Sequence, residues 1–174
     1  MHPDSIPAQT LLAAARQESP AAELRCRALL SRSVSVHETR AALQGELARC
    51  GLTESGFAVM AVLYAHEPGP VLRSDLGLAA GLSPMRTTDA LTRLEMSRLV
   101  RRQRDSQDRR LLWLRLTPEG VERTALALRR YVAGAGLATE SLDEQELTAC
   151  LTTSDKLRAG AALLAADAAA AALT

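Results

Sequence analysis

Nine arginines stand between Ser83 and Arg115, at positions 86, 93, 98, 101, 102, 104, 109, 110 and 115. Only four acids, Asp89, Glu95, Asp105 and Asp108, share that segment. The local surplus is five positive charges, in a chain whose formal net charge is +1. The positive charge is therefore concentrated in one place, and the remainder of the chain is net acidic. Such a patch is the electrostatic footprint of a polyanion site. Taken alone, a charge run is more often a solvated face. Its densest part is "RRQRDSQDRRLLWLRLTPEG", residues 101–120, where Asp105 and Asp108 sit among the arginines. Acids in that position distinguish it from a simple basic tail.

Other chemistries find little support. Cys26, Cys50 and Cys150 are far apart, with no CxxC or Cys/His ligand spacing. An odd number of cysteines suits a reduced, cytoplasmic chain better than a disulfide framework. There is no phosphate loop and no nucleophile elbow, and Cys26 with His37 is a pairing without supporting context. No catalytic residue, metal or cofactor is expected. The opening "MHPDSIPAQT" lacks a basic region followed by an apolar core, so no signal peptide is expected. The closing "AGAALLAADAAAAALT" is too short, too alanine-rich and interrupted by Asp167 for a membrane span.

The arginines need elements to present them. "PAAELRCRALLSRSVSVHETRAALQGELARC" has apolar residues at helical spacing, with Gly51 as its C-terminal stop. Thr53 can cap a second helix that turns Phe57, Met60, Val62 and Leu63 inward, and "HEPGP" ends it. Ser74 can cap a short helix ended by Gly81. Ser83, followed by Pro84 at the first helical position, can cap another. On that helix Ala90, Leu91 and Leu94 share one face, while Met85, Arg86, Asp89 and Arg93 point the other way. A short helix, a turn with glycine and a second helix with a polar outer face form a helix-turn-helix pattern. "LVRRQR" and "LLWLRLT", joined by "DSQD", read as a β-hairpin, after which Thr117 caps a long helix. A hairpin placed directly after a helix-turn-helix is a wing. Its arginines would reach a nucleic-acid backbone or groove beside the recognition helix.

These residues resemble the multiple-antibiotic-resistance regulator (MarR) family. "DSQDRRLLWLRLTPEG" is similar to that family's wing pattern, D-x-x-D-x-R followed by L-T-x-x-G. "LRSDLGLAAGLSP" and "RLEMSRLVRR" are similar to its helix-turn-helix and to the start of the wing. The resemblance covers about Leu52 to Gly120. It implies a mainly α fold with a small β-wing: a winged helix-turn-helix flanked by N- and C-terminal dimerisation helices. On that plan residues 1–20 are an N-terminal extension, partly helical, and 21–51 an N-terminal dimerisation helix. Residues 52–120 are the DNA-binding domain and 121–174 the C-terminal dimerisation helices.

The implied function is a cytoplasmic homodimer on a pseudo-palindromic double-stranded operator, acting as a repressor released by a small-molecule effector. Ser74, Ser83, Met85, Arg86, Thr88, Asp89, Arg93, Arg104, Asp108 and Arg110 are the expected DNA-binding residues. The resemblance makes Asp108 the residue that holds Arg110, and Arg110 the one that enters the minor groove. Two positions depart from the family. Arg98 stands where a glycine usually precedes the wing, so a non-glycine residue must tolerate a tight helix exit, for which positive φ is one solution. Asp89 stands where many members carry a base. A carboxylate accepts from cytosine but repels phosphate.

The effector is less legible. His37, Phe57, Met60, Tyr64 and Trp113 are candidate lining residues, although Phe57 and Met60 suit a core better. Urate-responsive members place an aspartate where this chain has Ala58. Cys26 lies roughly where peroxide-sensing members carry a reactive thiol, and Arg25 and Arg27 flank it. The tyrosine such sensors carry four residues on is Leu30 here. Thiol-based oxidant sensing through Cys26 is one alternative. A winged helix that grips an acidic protein partner is the other.

Overall fold

A computed structural model describes residues 5–105, 108 and 111–171. The chain divides into two compact units between Gly134 and Ala135. Among the described residues, seven helices and three short strands follow the order α1 (Ile6–Glu18), α2 (Pro20–Ala48), α3 (Glu54–Ala65), β1 (Val71–Leu72), α4 (Arg73–Ala79), α5 (Pro84–Met96), β2 (Val100–Arg104), β3 (Leu112–Leu116), α6 (Pro118–Ala138) and α7 (Glu144–Ala171). The architecture is mainly helical with a small antiparallel sheet, as the sequence implies.

The N-terminal segment is a helix of its own. Ser19 separates α1 from α2: its hydroxyl accepts from the Ala22 amide at 3.0 Å, and Pro20 occupies the first helical position. Glu23 then staples the two helices. It takes a bidentate pair from Arg16 at 2.9 and 2.7 Å and a further bond from Arg27 at 2.6 Å. The Arg16 hydrogen bonds, with Arg27 adding to them, hold the Glu23 carboxyl down at about 2.

One core runs through α2's end, α3, α4, α5 and the sheet. Leu47, Met60, Leu63, Leu76, Leu91 and Leu114 are its largest fully buried side chains. Phe57 on α3 stacks on Tyr131 of α6, with ring centroids 5.5 Å apart. Each expected cap at Thr53, Ser83 and Thr117 accepts from an amide of the helix it precedes. Ser74 does not cap. The strand β1 hands the chain directly to α4 at Leu72, so Ser74 falls inside the first turn and its hydroxyl bonds Asp75 at 2.8 Å.

The sheet has the order β1-β3-β2, antiparallel throughout. The hairpin pairs Val100 with Leu116 and Arg104 with Leu112. The third strand, β1, is too short to leave an alternating pattern in the sequence; it pairs Val71 with Leu114. Behind the hairpin, L-T-x-x-G has a physical explanation. Thr117 donates its hydroxyl to the Arg98 carbonyl at 2.8 Å and accepts from the Gly120 amide at 3.0 Å. A Cβ on Gly120 would lie 2.1 Å from the Leu99 carbonyl oxygen, so no larger residue fits. The helix exit does use positive φ: Arg98 sits at 58°.

In the second unit α7 starts with a reciprocal cap. The Asp143 carboxylate accepts from the Glu146 amide at 2.8 Å, and the Glu146 carboxylate accepts from the Asp143 amide at 3.0 Å. None of the 28 residues of α7 is buried. No helix among the described residues is long and apolar enough to cross a membrane.

Candidate nucleic-acid interface

The recognition face is built on α5. Ala90, Leu91 and Leu94 are buried against the core, and Thr87 is buried against α4. The α4–α5 contact is close, since a Cβ on Gly77 would approach the Thr87 hydroxyl to 3.0 Å. The opposite face is exposed to solvent: Met85 is 72% exposed, and Arg86, Thr88, Asp89 and Arg93 are also exposed. Hydrophobic burial on one side thus holds the helix so that its polar side projects.

An open groove of about 1030 Å³ runs between this helix pair and the wing. Arg73, Ser74, Thr87 and Thr88 line one side, and Arg102 and Arg104 the other. Leucines at 72, 78, 82, 111 and 112 complete it. Leu78 is 91% exposed there. Glu95 near the end of α5 forms an ion pair with Arg102 on β2, tying helix and wing together. The structure therefore brings Ser74, Thr88 and Arg104 into one concave surface. Arg93, Arg86 and Asp89 gather on a second, smaller concavity of about 180 Å³ with Thr53 and Ser55.

At the wing tip Arg109 and Arg110 lie outside the described residues. Asp108 is exposed. Asp105, read from the sequence only as an acid among the arginines, makes two side-chain bonds here. One of its carboxylate oxygens accepts from the Asp108 amide at 3.1 Å, and the other accepts from the Trp113 indole at 3.0 Å. An aspartate at the start of a turn that bonds an amide further on is a local signal the "DSQD" stretch already carried. Nothing in the sequence pointed to the indole.

Of the expected effector-lining residues, Phe57, Met60 and Tyr64 join one core, and His37 and Trp113 lie elsewhere on α2 and β3. Met60 is fully buried in the core, as its helical position favours. The Trp113 indole donates to Asp105 in the wing at 3.0 Å. His37 is exposed on α2, and Phe57 and Tyr64 pack against the core. None of the five lines either groove described above. Cys26 is half-buried on α2. Its neighbour Arg27 directs its guanidinium to Glu23, which weakens the argument that Arg27 activates the thiol.

Residues 52–112 match the MarR family model. Among curated protein sequences, none matches the chain. Solved structures do. AbsC, a MarR family transcriptional regulator from Streptomyces coelicolor, is 27% identical over 76% of this chain and 93% of its own, with a TM-score of 0.63. A MarR family transcriptional regulator from Silicibacter pomeroyi is 26% identical over 79% and 91%, with a TM-score of 0.56. The S. aureus MepR–DNA complex is 22% identical over 76% and 96%, with a TM-score of 0.64. The fold is the winged helix of those regulators.

Proposed function

We propose that this chain, whose residues 52–112 match the MarR family, is a DNA-binding transcriptional regulator that works as a homodimer on a two-fold operator. The observation that carries this reading is the continuity of an exposed polar recognition helix with a groove walled by wing arginines. Met85, Arg86, Thr88 and Asp89 face base edges in the major groove, with Ser83 at the helix start near a phosphate. Arg104, Asp108 and Arg110 serve the wing. Ser74 and Arg93 contact the backbone on either side.

Dimerisation is assigned to the long terminal helices. Leu24, Leu29 and Val36 on α2 and Leu151, Leu163 and Leu164 on α7 are all more than half exposed. Soluble chains rarely leave helices of this length so apolar without covering them, and a second copy is the cover that also supplies the second half-site. A repressing role relieved by a small ligand completes the proposal. Among the candidate lining residues, Phe57, Tyr64 and His37 remain as its α2–α3 contributors.

The rival is a winged helix that grips an acidic protein. Titrating the full chain with duplex DNA at increasing salt separates the two. The proposal expects one duplex sequence to be enriched from a random pool, with the logarithm of its affinity falling linearly with the logarithm of salt. Binding that ignores duplex DNA and follows acidic protein surfaces would overturn it.

A further inference from the structure

Two helix starts meet beside the recognition face. Thr53 caps α3 by accepting from the Gly56 amide at 3.1 Å, and Ser83 caps α5. Gly56 is buried at the contact: a Cβ there would lie 3.2 Å from the Thr53 hydroxyl and 3.7 Å from Leu94 of α5. The first turn of α3 thus lies in van der Waals contact with α5. Ser55, in that turn, places its hydroxyl 3.0 Å from Nη2 of Arg86, across 31 positions of sequence. Glu54 is the residue next to it; its carboxylate feels the charge of Arg86 but makes its hydrogen bonds on the α2 side. Arg40 and Gln44 on α2 take it at 2.6 and 3.1 Å.

From this arrangement we infer that Ser55 is a positioning residue for Arg86 and so sets the base preference of the recognition helix. The inference rests on the reading that α5 docks in the major groove. A long exposed arginine loses rotamer freedom when it docks, and a partner that already holds it reduces that loss. A hydroxyl suits the task. It accepts one of the fork's several N–H groups and leaves the others for a base edge, without cancelling the positive charge. A carboxylate in the same place would hold Arg86 more tightly and oppose its transfer to DNA. Arg40 and Gln44 keep the neighbouring carboxylate of Glu54 occupied on the α2 side.

The test begins by enriching a preferred duplex from a random pool with the full chain. Ser55→Ala, Ser55→Thr, Arg86→Ala and the Ser55→Ala/Arg86→Ala double variant are then compared on the enriched duplex and on a scrambled one. Ser55→Ala should lose about three- to tenfold on the enriched duplex and flatten base preference at one position per half-site. It should bind the scrambled duplex like the parent, and Ser55→Thr should restore the preference. The double variant should bind no more weakly than Arg86→Ala, because the two residues act as one unit. Equal losses on both duplexes would make Ser55 a phosphate contact and overturn the inference. Additive losses in the double variant, or an unchanged Ser55→Ala, would overturn it as well. A parent that enriches no duplex would instead overturn the DNA-binding reading beneath it.

Discussion

The winged-helix segment and α7 use leucine in opposite ways. Between Leu47 and Leu116 the leucines at 47, 52, 63, 76, 91, 94, 99, 114 and 116 are buried, and one core holds them. In α7 the leucines at 151, 163 and 164 are at least 70% exposed, and the helix buries nothing. Leucine is therefore used in two different ways within one chain. The first segment satisfies itself and can present a rigid polar face. The second leaves its apolar surface exposed, and the proposed dimer would cover it. A helix of mostly alanine and leucine is stable enough to persist while it does so.

The largest expected effect comes from removing the second region. Ending the chain after Glu140 should abolish the dimer in sedimentation and reduce duplex binding to the level of a scrambled sequence. Cooperative unfolding of the winged segment should survive. A truncated chain that still sediments as a dimer would erase the contrast.

Glycine-to-alanine substitution sharpens it, because the two regions should respond with opposite signs. Gly120→Ala places a methyl against the Leu99 carbonyl and should lower unfolding free energy by about 3 kcal/mol or more in a urea titration. Gly160→Ala lies within α7, where a Cβ meets nothing within 4 Å. It should raise helix stability by about 0.5–1 kcal/mol.

Asp108→Ala tests the wing rather than the core. If Asp108 orients Arg110, deleting this acid should weaken duplex binding by about 1–3 kcal/mol. Plain electrostatics predicts the reverse, since a negative charge near DNA is removed. Tighter binding by fluorescence anisotropy would reduce the wing to a charged strip.

The smallest effect belongs to the α1–α2 staple. Arg16 and Arg27 depress the Glu23 carboxyl from 4.5 to about 2. A depressed carboxyl contributes its stability fully above its unfolded value and loses it as pH falls through the folded one. Thermal stability should therefore decline slightly as pH drops from about 4.5 towards about 2, by an amount that Glu23→Gln removes. The pair is solvent-screened, so a large decline would need another cause.

Much of the winged segment was legible because each element carries its own local signal. Thr53, Ser83 and Thr117 are caps at helix starts, and Ala90, Leu91 and Leu94 share a face of α5. The wing showed itself through two short apolar runs around a polar turn. What escaped depends on contacts between distant residues. The two-residue strand β1 is specified by pairing with β3, and Ser74 lost its capping role to that pairing. Arg86 finds Ser55, 31 positions away, only through the packing of α3 on α5. Trp113, one candidate for an effector pocket by its ring alone, is held by an aspartate eight positions earlier. The candidate pocket was the least legible of all, since aromatic side chains serve cores and ligands equally well.

The central claim is that one chain reads one half-site and α7 brings two chains together. Sedimentation of the full chain with its enriched duplex tests this directly. The account predicts two chains per duplex, on half-sites about one helical turn apart, with binding lost steeply as salt rises. A single chain bound to a site without two-fold symmetry would contradict it.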